Sequence, residues 1–139
     1  MPDKEVHRQK LIHILQMAYS GEKAAALAYA GHWRSLPAGE QRRKIAQIES
    51  EEWEHRRIVG VFLKELGASP QGIREVIMSG IGSCIFIACF LSGWYLPMYF
   101  AGRLERDNVD EYLQAAAAAE ALGLYKFKVE LIRLAEVEL

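Results

Sequence analysis

The chain has 139 residues, of which 51% are apolar and 25% are charged, and its formal net charge is −1 at pH 7. This length fits one domain with a single core, and the near-neutral charge argues against a nucleic-acid-binding protein, which would normally have a strongly basic surface. Alanine-rich tracts and only four prolines favour an all-α protein. We therefore expect one helical domain over residues 1–139, with no nucleic-acid partner.

Apolar periodicity predicts four long amphipathic helices. They cover about residues 4–36, 40–66, 87–122 and 124–139. Pro37 ends the first helix, Gly67 ends the second, and Gly123 separates the third from the fourth. The connection over about residues 67–86 is too long for a hairpin turn. Two helix hairpins joined by one long crossover form the connectivity of a ferritin-like four-helix bundle.

Residues 76–101 contain no charged side chain. The stretch is long enough to span a membrane, but glycines and Pro97 interrupt it, and it continues into a helix that the bundle requires. We expect it to be buried in the bundle or at the interface of a homodimer. Peripheral membrane contact, which would collect an apolar substrate, is the alternative.

Two further observations concern the compartment. Cys84 and Cys89 lie inside the apolar stretch at a spacing unsuited to pairing within a helix, so we expect small buried side chains in a reducing environment. The first residues contain no apolar signal segment. We therefore expect a cytoplasmic protein. Peripheral attachment to the inner membrane is the alternative.

The second helix contains the clearest candidate site. Its apolar residues recur in steps of three and four, and they are Ile45, Ile48, Val59, Phe62 and Leu66. Glu52 and His55 occupy the two remaining positions of that core series, whereas Glu51 and Glu54 fall outside it. A Glu-x-x-His pair directed into a bundle core is the arrangement found in di-metal carboxylate proteins.

Glutamates interrupt the apolar stripes of the other helices as well. Glu22 lies in the middle of the first stripe, Glu105 in the middle of the third, and Glu138 at the next core position of the fourth. Unpaired buried carboxylates cost several kcal/mol each, in a domain stable by only ~5–15 kcal/mol. Two divalent cations would balance four such charges, and oxygen ligands with imidazole suit iron or manganese. The predicted metal ligands, which would act in catalysis through two bound iron ions, are Glu22, Glu52, His55, Glu105 and Glu138.

The two halves of the chain repeat this pattern. Glu22 precedes Tyr29 by seven residues, and Glu105 precedes Tyr112 by the same distance. The spacing from Glu105 to Glu138 is 33 residues, against 30 in the first half. The repeat also predicts a histidine two positions beyond the last residue shown. We expect each tyrosine either to support a metal ligand or to pack in the core with one hydroxyl hydrogen bond.

Several of these segments resemble a known family. The run from Gly21 to Gly31, the Glu52-x-x-His55 pair and the Glu105…Tyr112 segment are similar to motifs of the demethoxyubiquinone hydroxylase family. Glu111 stands where that family commonly has histidine. The resemblance implies a ferritin-like di-iron monooxygenase that hydroxylates a quinone ring and associates with membranes peripherally.

The leading hypothesis is therefore an oxygen-activating di-iron enzyme that hydroxylates a hydrophobic, quinone-like substrate with O₂. An iron-handling protein is the first alternative, either a ferroxidase or a rubrerythrin-like peroxidase. The chain has no Cys-x-x-Cys motif, which disfavours a rubredoxin-containing rubrerythrin. A metal-free bundle that serves as an interaction protein is the third possibility.

Overall fold

The computed structural model describes residues 2–93 and 95–138, without the side chains at positions 2, 96, 97, 100, 101, 104, 105, 107, 108, 137 and 138. Over this part of the chain the protein is all-helical and has no strand, which confirms the predicted all-α class. Its helices are α1 (Pro2–Ser35), α2 (Glu40–Glu65), α3 (Gly72–Ser92), α4 (Tyr95–Ala121) and α5 (Tyr125–Glu138).

Helices α1 and α2 form an antiparallel hairpin. The Arg8 side chain near the start of α1 donates to the Leu66 carbonyl at the end of α2, at 2.6 Å. At the other end of the hairpin, the Trp33 indole donates to Glu49 at 2.7 Å. Gly67 adopts φ 73° just beyond α2, a left-handed conformation that glycine tolerates at a helix end. The bounds of both helices differ by at most two residues from the expected ones.

The segment between the hairpins differs from the prediction. The expected crossover 67–86 is itself mostly helical, and residues 87–92 belong to α3 rather than to the start of the next helix. The expected third helix, 87–122, is therefore wrong at its beginning, because α4 starts at Tyr95. Gly93, with φ 84°, ends α3. The apolar run continues through this glycine, so hydropathy alone does not mark the break.

Helix α1 lies between three others and contacts α2, α3 and α4. Gly82 of α3 lies against Ala24, and Phe86, further along α3, lies against Gly31, so α3 runs parallel to α1. Helix α4 is antiparallel to α1, because its later residues pack with the N-terminal half of α1. Helix α5 folds back on α4.

The main core lies at the N-terminal end of α1. Its largest fully buried member is Tyr112 of α4, followed by Leu11 and Leu15 of α1, Leu63 of α2, and Leu131 and Leu134 of α5. The rings of Phe62 and Phe127 stack with 4.2 Å between their centroids, which joins α2 to α5. Burial of these apolar side chains holds the two hairpins together.

Helix α3 is long and apolar enough to span a membrane, with a mean hydropathy of 1.9 over 18 residues, and it is the one described helix that meets this criterion. Length and composition alone are weak support for a span. Most of its outer face is exposed, including Leu91 at 83%, so the expected burial of residues 76–101 in the bundle does not hold for this face. Cys89 is buried as expected, whereas Cys84 is exposed because it points away from α1.

Candidate metal centre

Three of the predicted ligands meet in the interior between α1 and α2. Glu22, Glu52 and His55 each offer a ligand atom, and these atoms lie within 4.8 Å of one another. These residues are 0%, 4% and 5% exposed, respectively. Two carboxylates and an imidazole this close together and this deeply buried form a group that could hold a metal ion.

The local sequence explains why these side chains point inward. Glu52 and His55 are three residues apart on α2 and therefore share one face of the helix. Both are buried, whereas Glu51 and Glu54 are exposed. Glu54 instead accepts hydrogen bonds from Arg57 on the surface, and this contact lowers the pKa of its carboxyl group.

Helix α4 contributes a tyrosine to the same group. The Tyr112 hydroxyl donates a hydrogen bond to Oε1 of Glu22, with 2.5 Å between the two oxygens. The other oxygen, Oε2, lies 4.0 Å from Nδ1 of His55. Tyr112 is completely buried. A phenol that donates to a carboxylate makes a short, strong hydrogen bond, so Tyr112 fixes the position of the Glu22 side chain.

The remaining predicted site residues are distributed as follows. Tyr29 is half-buried on α1, two helical turns beyond Glu22. Glu105 lies on α4 and Glu138 on α5, but both side chains are outside the part of the chain that the structure describes. The structure thus brings together the three ligands of the first hairpin, and it leaves the two predicted ligands of the second hairpin as predictions.

A polar contact beside the site was not anticipated from the sequence. Glu49, one turn before Glu52 on α2, accepts hydrogen bonds from the indoles of Trp33 and Trp53, at 2.7 and 2.8 Å. Arg34 lies 3.5 Å from the same carboxylate. These contacts tie the end of α1 to α2 next to the ligand pair. The contact of Glu49 with Trp53 could have been predicted, because the two residues are four apart on one helix. The contact with Trp33 could not, because Trp33 comes from another helix.

A second unanticipated cluster ties α3 to the hairpin. Glu75 of α3 pairs with Arg56 of α2 at 2.9 Å and lies 3.9 Å from Lys23 of α1. The Arg56 guanidinium also lies 3.8 Å from the centre of the Tyr19 ring, in cation–π geometry. The first turn of α3 is therefore attached to both helices that contribute the buried Glu/Glu/His group.

The donor set suits a metal ion of a particular class. Carboxylate oxygens with an imidazole nitrogen suit iron, manganese or zinc, and they disfavour ions that need soft thiolate ligands, such as Cu(I). Buried carboxylates cost several kcal/mol each unless their charge is compensated, and a divalent cation beside Glu22 and Glu52 would compensate both. The residues present therefore fit a bound metal ion.

No family model, no curated protein and no solved structure matches the chain.

Proposed function

We propose that this protein is an oxygen-activating oxidoreductase that holds two iron ions in a ferritin-like bundle. The observation that carries the proposal is the buried group of Glu22, Glu52 and His55 between two antiparallel helices. One glutamate on a helix and a Glu-x-x-His pair on the next make up half of the ligand set of ferritin-like di-iron proteins. Helix α3, which forms most of the long crossover between the two hairpins, supports the same assignment.

The second half of the ligand set is assigned to Glu105 and Glu138. This assignment rests on the repeat in the sequence, in which a tyrosine follows a glutamate by seven residues in both α1 and α4. Tyr112 of the second half donates to Glu22 of the first. A two-fold repeat gives Tyr29 the corresponding role towards Glu105.

Bound iron would supply the electrons with which O₂ is reduced. The protein's own contribution can be followed in the described residues. Tyr112 holds Glu22 through its hydroxyl, and His55 must present an unprotonated nitrogen in order to act as a ligand. The burial of all three ligands keeps bulk water away from the reacting centre.

The proposed substrate is a hydrophobic quinone-like molecule that is hydroxylated on its ring. Its support is the resemblance of the Gly21–Gly31, Glu52-x-x-His55 and Glu105…Tyr112 segments to the demethoxyubiquinone hydroxylase family. Iron oxidation without substrate hydroxylation is the competing activity, and the two give different products.

The metal site is tested first, by matched substitutions on one helix. Glu52→Ala removes a buried ligand, whereas Glu51→Ala alters an exposed neighbour. After anaerobic loading with ferrous iron and desalting, we expect Glu52→Ala to abolish tight iron binding and Glu51→Ala to leave it unchanged. Equal iron content in the two variants, measured by elemental analysis, would refute the site.

The reaction is tested with the iron-loaded wild-type chain. A short-chain quinol that lacks one ring substituent is added under reducing conditions, followed by O₂. We expect a product that is heavier by one oxygen atom, detected by mass spectrometry, and absent with Glu52→Ala. If all the added ferrous iron is oxidised while the quinol is recovered intact, the protein is a ferroxidase rather than a hydroxylase.

A further inference from the structure

The outer face of α3 carries a regular apolar seam, defined as Ile73, Ile77, Gly80, Cys84, Ile87 and Leu91. Its members follow one another in steps of four and three residues, the spacing with which one helix packs along another. The positions opposite the seam, such as Gly82 and Cys89, are buried. The seam therefore points away from the bundle, and its large side chains are exposed by between 54% and 83%.

Two glycines on α3 differ in whether a neighbouring helix approaches them. A Cβ atom on Gly82 would lie 2.8 Å from Cβ of Leu27, so the close approach of α1 explains this glycine. Gly80 has nothing within 4 Å of such an atom. A glycine in the middle of an exposed helix weakens it relative to alanine, and nothing in a single copy of the chain requires it. A second helix that approaches closely at this point would favour a small residue there.

We propose that the seam is the interface of a homodimer, in which α3 packs antiparallel against α3 of a second copy. The four large side chains of the seam are Ile73, Ile77, Ile87 and Leu91. Their exposed parts come to on the order of 500 Å² per copy, so a pair would bury roughly 1,000 Å², the size at which a specific interface begins. No charged residue lies on the seam, so self-association buries no charge. In an isologous interface the same surface of both copies meets, so that surface must not repel a copy of itself.

The order of residues in the seam selects the antiparallel arrangement. The seam is symmetric about position 82, with Gly80 and Cys84 nearest the centre, Ile77 and Ile87 next, and the remaining large residues at the ends. A two-fold axis at the centre places Gly80 opposite Cys84 of the second copy. Two small residues thus face each other where the helices cross, and the antiparallel orientation also opposes the helix dipoles favourably.

A membrane surface is the competing occupant of this face. Helices that lie on membranes are typically rich in lysine and arginine beside their apolar face. Arg74 is the one basic residue of α3, and the neighbouring Lys23 and Arg56 are directed to Glu75. This charge pattern favours a second copy over an anionic bilayer.

Oligomeric state is the first test. We expect the purified full chain to be a dimer by light scattering, and Ile77→Glu to shift it to the monomer while retaining its helical circular dichroism. The matched control is Val129→Glu, which puts the same charge on an exposed valine of α5, 67% exposed, and it should remain dimeric. A monomeric wild-type chain, or a dimer that survives Ile77→Glu, would overturn the proposal. So would a monomer that sediments with vesicles of anionic phospholipid.

Disulfide trapping tests the orientation. In the antiparallel pair, Cys84 of one copy lies roughly 8 Å from Cys84 of the other, measured between Cα atoms, which is too far for a disulfide. Gly80→Cys places a new thiol opposite Cys84 of the partner copy. We expect mild oxidation to cross-link Gly80→Cys into covalent dimers and to leave the wild type uncross-linked. Cross-linking of the wild type, or none in the variant, would refute the antiparallel seam.

Discussion

Tyr112 connects the second hairpin to the buried ligands. Its hydroxyl donates to Glu22 across 90 positions of sequence. Residues that orient a metal ligand commonly influence metal affinity by 10–100-fold. The contact therefore has two measurable consequences, one for the metal-free protein and one for metal binding.

Replacing Tyr112 with phenylalanine should affect both properties. The buried Glu22 carboxylate loses a donor, which we expect to destabilise the metal-free protein by about 1–3 kcal/mol in urea unfolding. Metal affinity should fall by roughly 10–100-fold in a competition titration with a chelator. Tyr125→Phe serves as the control, because Tyr125 is 64% exposed. Identical behaviour of the two variants would contradict the role assigned to the Tyr112 hydroxyl.

His32 near the end of α1 makes stability depend on pH. Burial lowers its pKa below the ordinary value of about 6.5. As the pH falls through 6.5, the unfolded chain therefore takes up a proton that the folded protein resists, so the free energy of unfolding decreases towards lower pH. In urea unfolding of the metal-free protein between pH 7 and 5, His32→Gln should show a shallower decline than the wild type. A decline that is as steep in the variant would show that His32 contributes nothing to it.

The packing of helix α3 against helix α1 depends on two glycines, Gly31 and Gly82, which have no side-chain atoms at the contact. A Cβ atom on Gly82 would lie 3.0 Å from Cα of Ala24, and one on Gly31 would collide with the backbone of Phe86. Neither collision can be relieved by turning a flexible side chain. The two helices would have to move apart along the segment that flanks Glu22.

A matched pair of glycine substitutions on α3 tests this packing. Gly82→Ala should destabilise the protein by about 1–3 kcal/mol, because the added methyl group overpacks the contact with α1. Both substitutions are made in the Ile77→Glu background, in which the proposed seam is unpaired. There the methyl group of Gly80→Ala meets nothing within 4 Å and should stabilise the helix by about 0.5–1 kcal/mol through its propensity. Urea midpoints of the two variants should therefore move in opposite directions. A shift in the same direction would contradict the tight packing of α1 on α3.

The predictability of the elements depended on how each one ends. The hairpin of α1 and α2 was predictable, because Pro37 and Gly67 interrupt clear apolar stripes. The break between α3 and α4 was not, since Gly93 stands inside a continuous apolar run and a glycine can also lie within a helix. Its left-handed φ of 84° is a property of the folded backbone that composition does not reveal.

For the molecule as a whole, metal binding should be coupled to stability. A ligand that binds only the folded state at 100 times its dissociation constant stabilises it by about 2.7 kcal/mol. For a chain of this size, we expect manganous ion, chosen because it is stable in air, to raise the thermal midpoint by roughly 10 °C. Excess chelator should reverse the shift, and Glu52→Ala should show none. A shift that persists in Glu52→Ala would place the bound ion elsewhere.

The site was predictable within each helix and not between helices. Glu52 and His55 were identified because the 3.6-residue period alone decides which face of α2 they share. Which tyrosine reaches which glutamate depends on the alignment of α1 with α4, and periodicity carries no information on that alignment. Tyr29 lies closer to Glu22 in sequence, yet Tyr112 makes the described hydrogen bond.

The position of the ligands along the chain has a consequence for the order of assembly. Glu22, Glu52 and His55 all belong to the first hairpin, whereas Tyr112 is made much later during synthesis. Protein chains leave the ribosome from the N-terminus, at about 5–20 residues per second. The three metal-binding groups are therefore synthesised several seconds before Tyr112, so a metal ion can meet all three of them before the residue that orients Glu22 has been made.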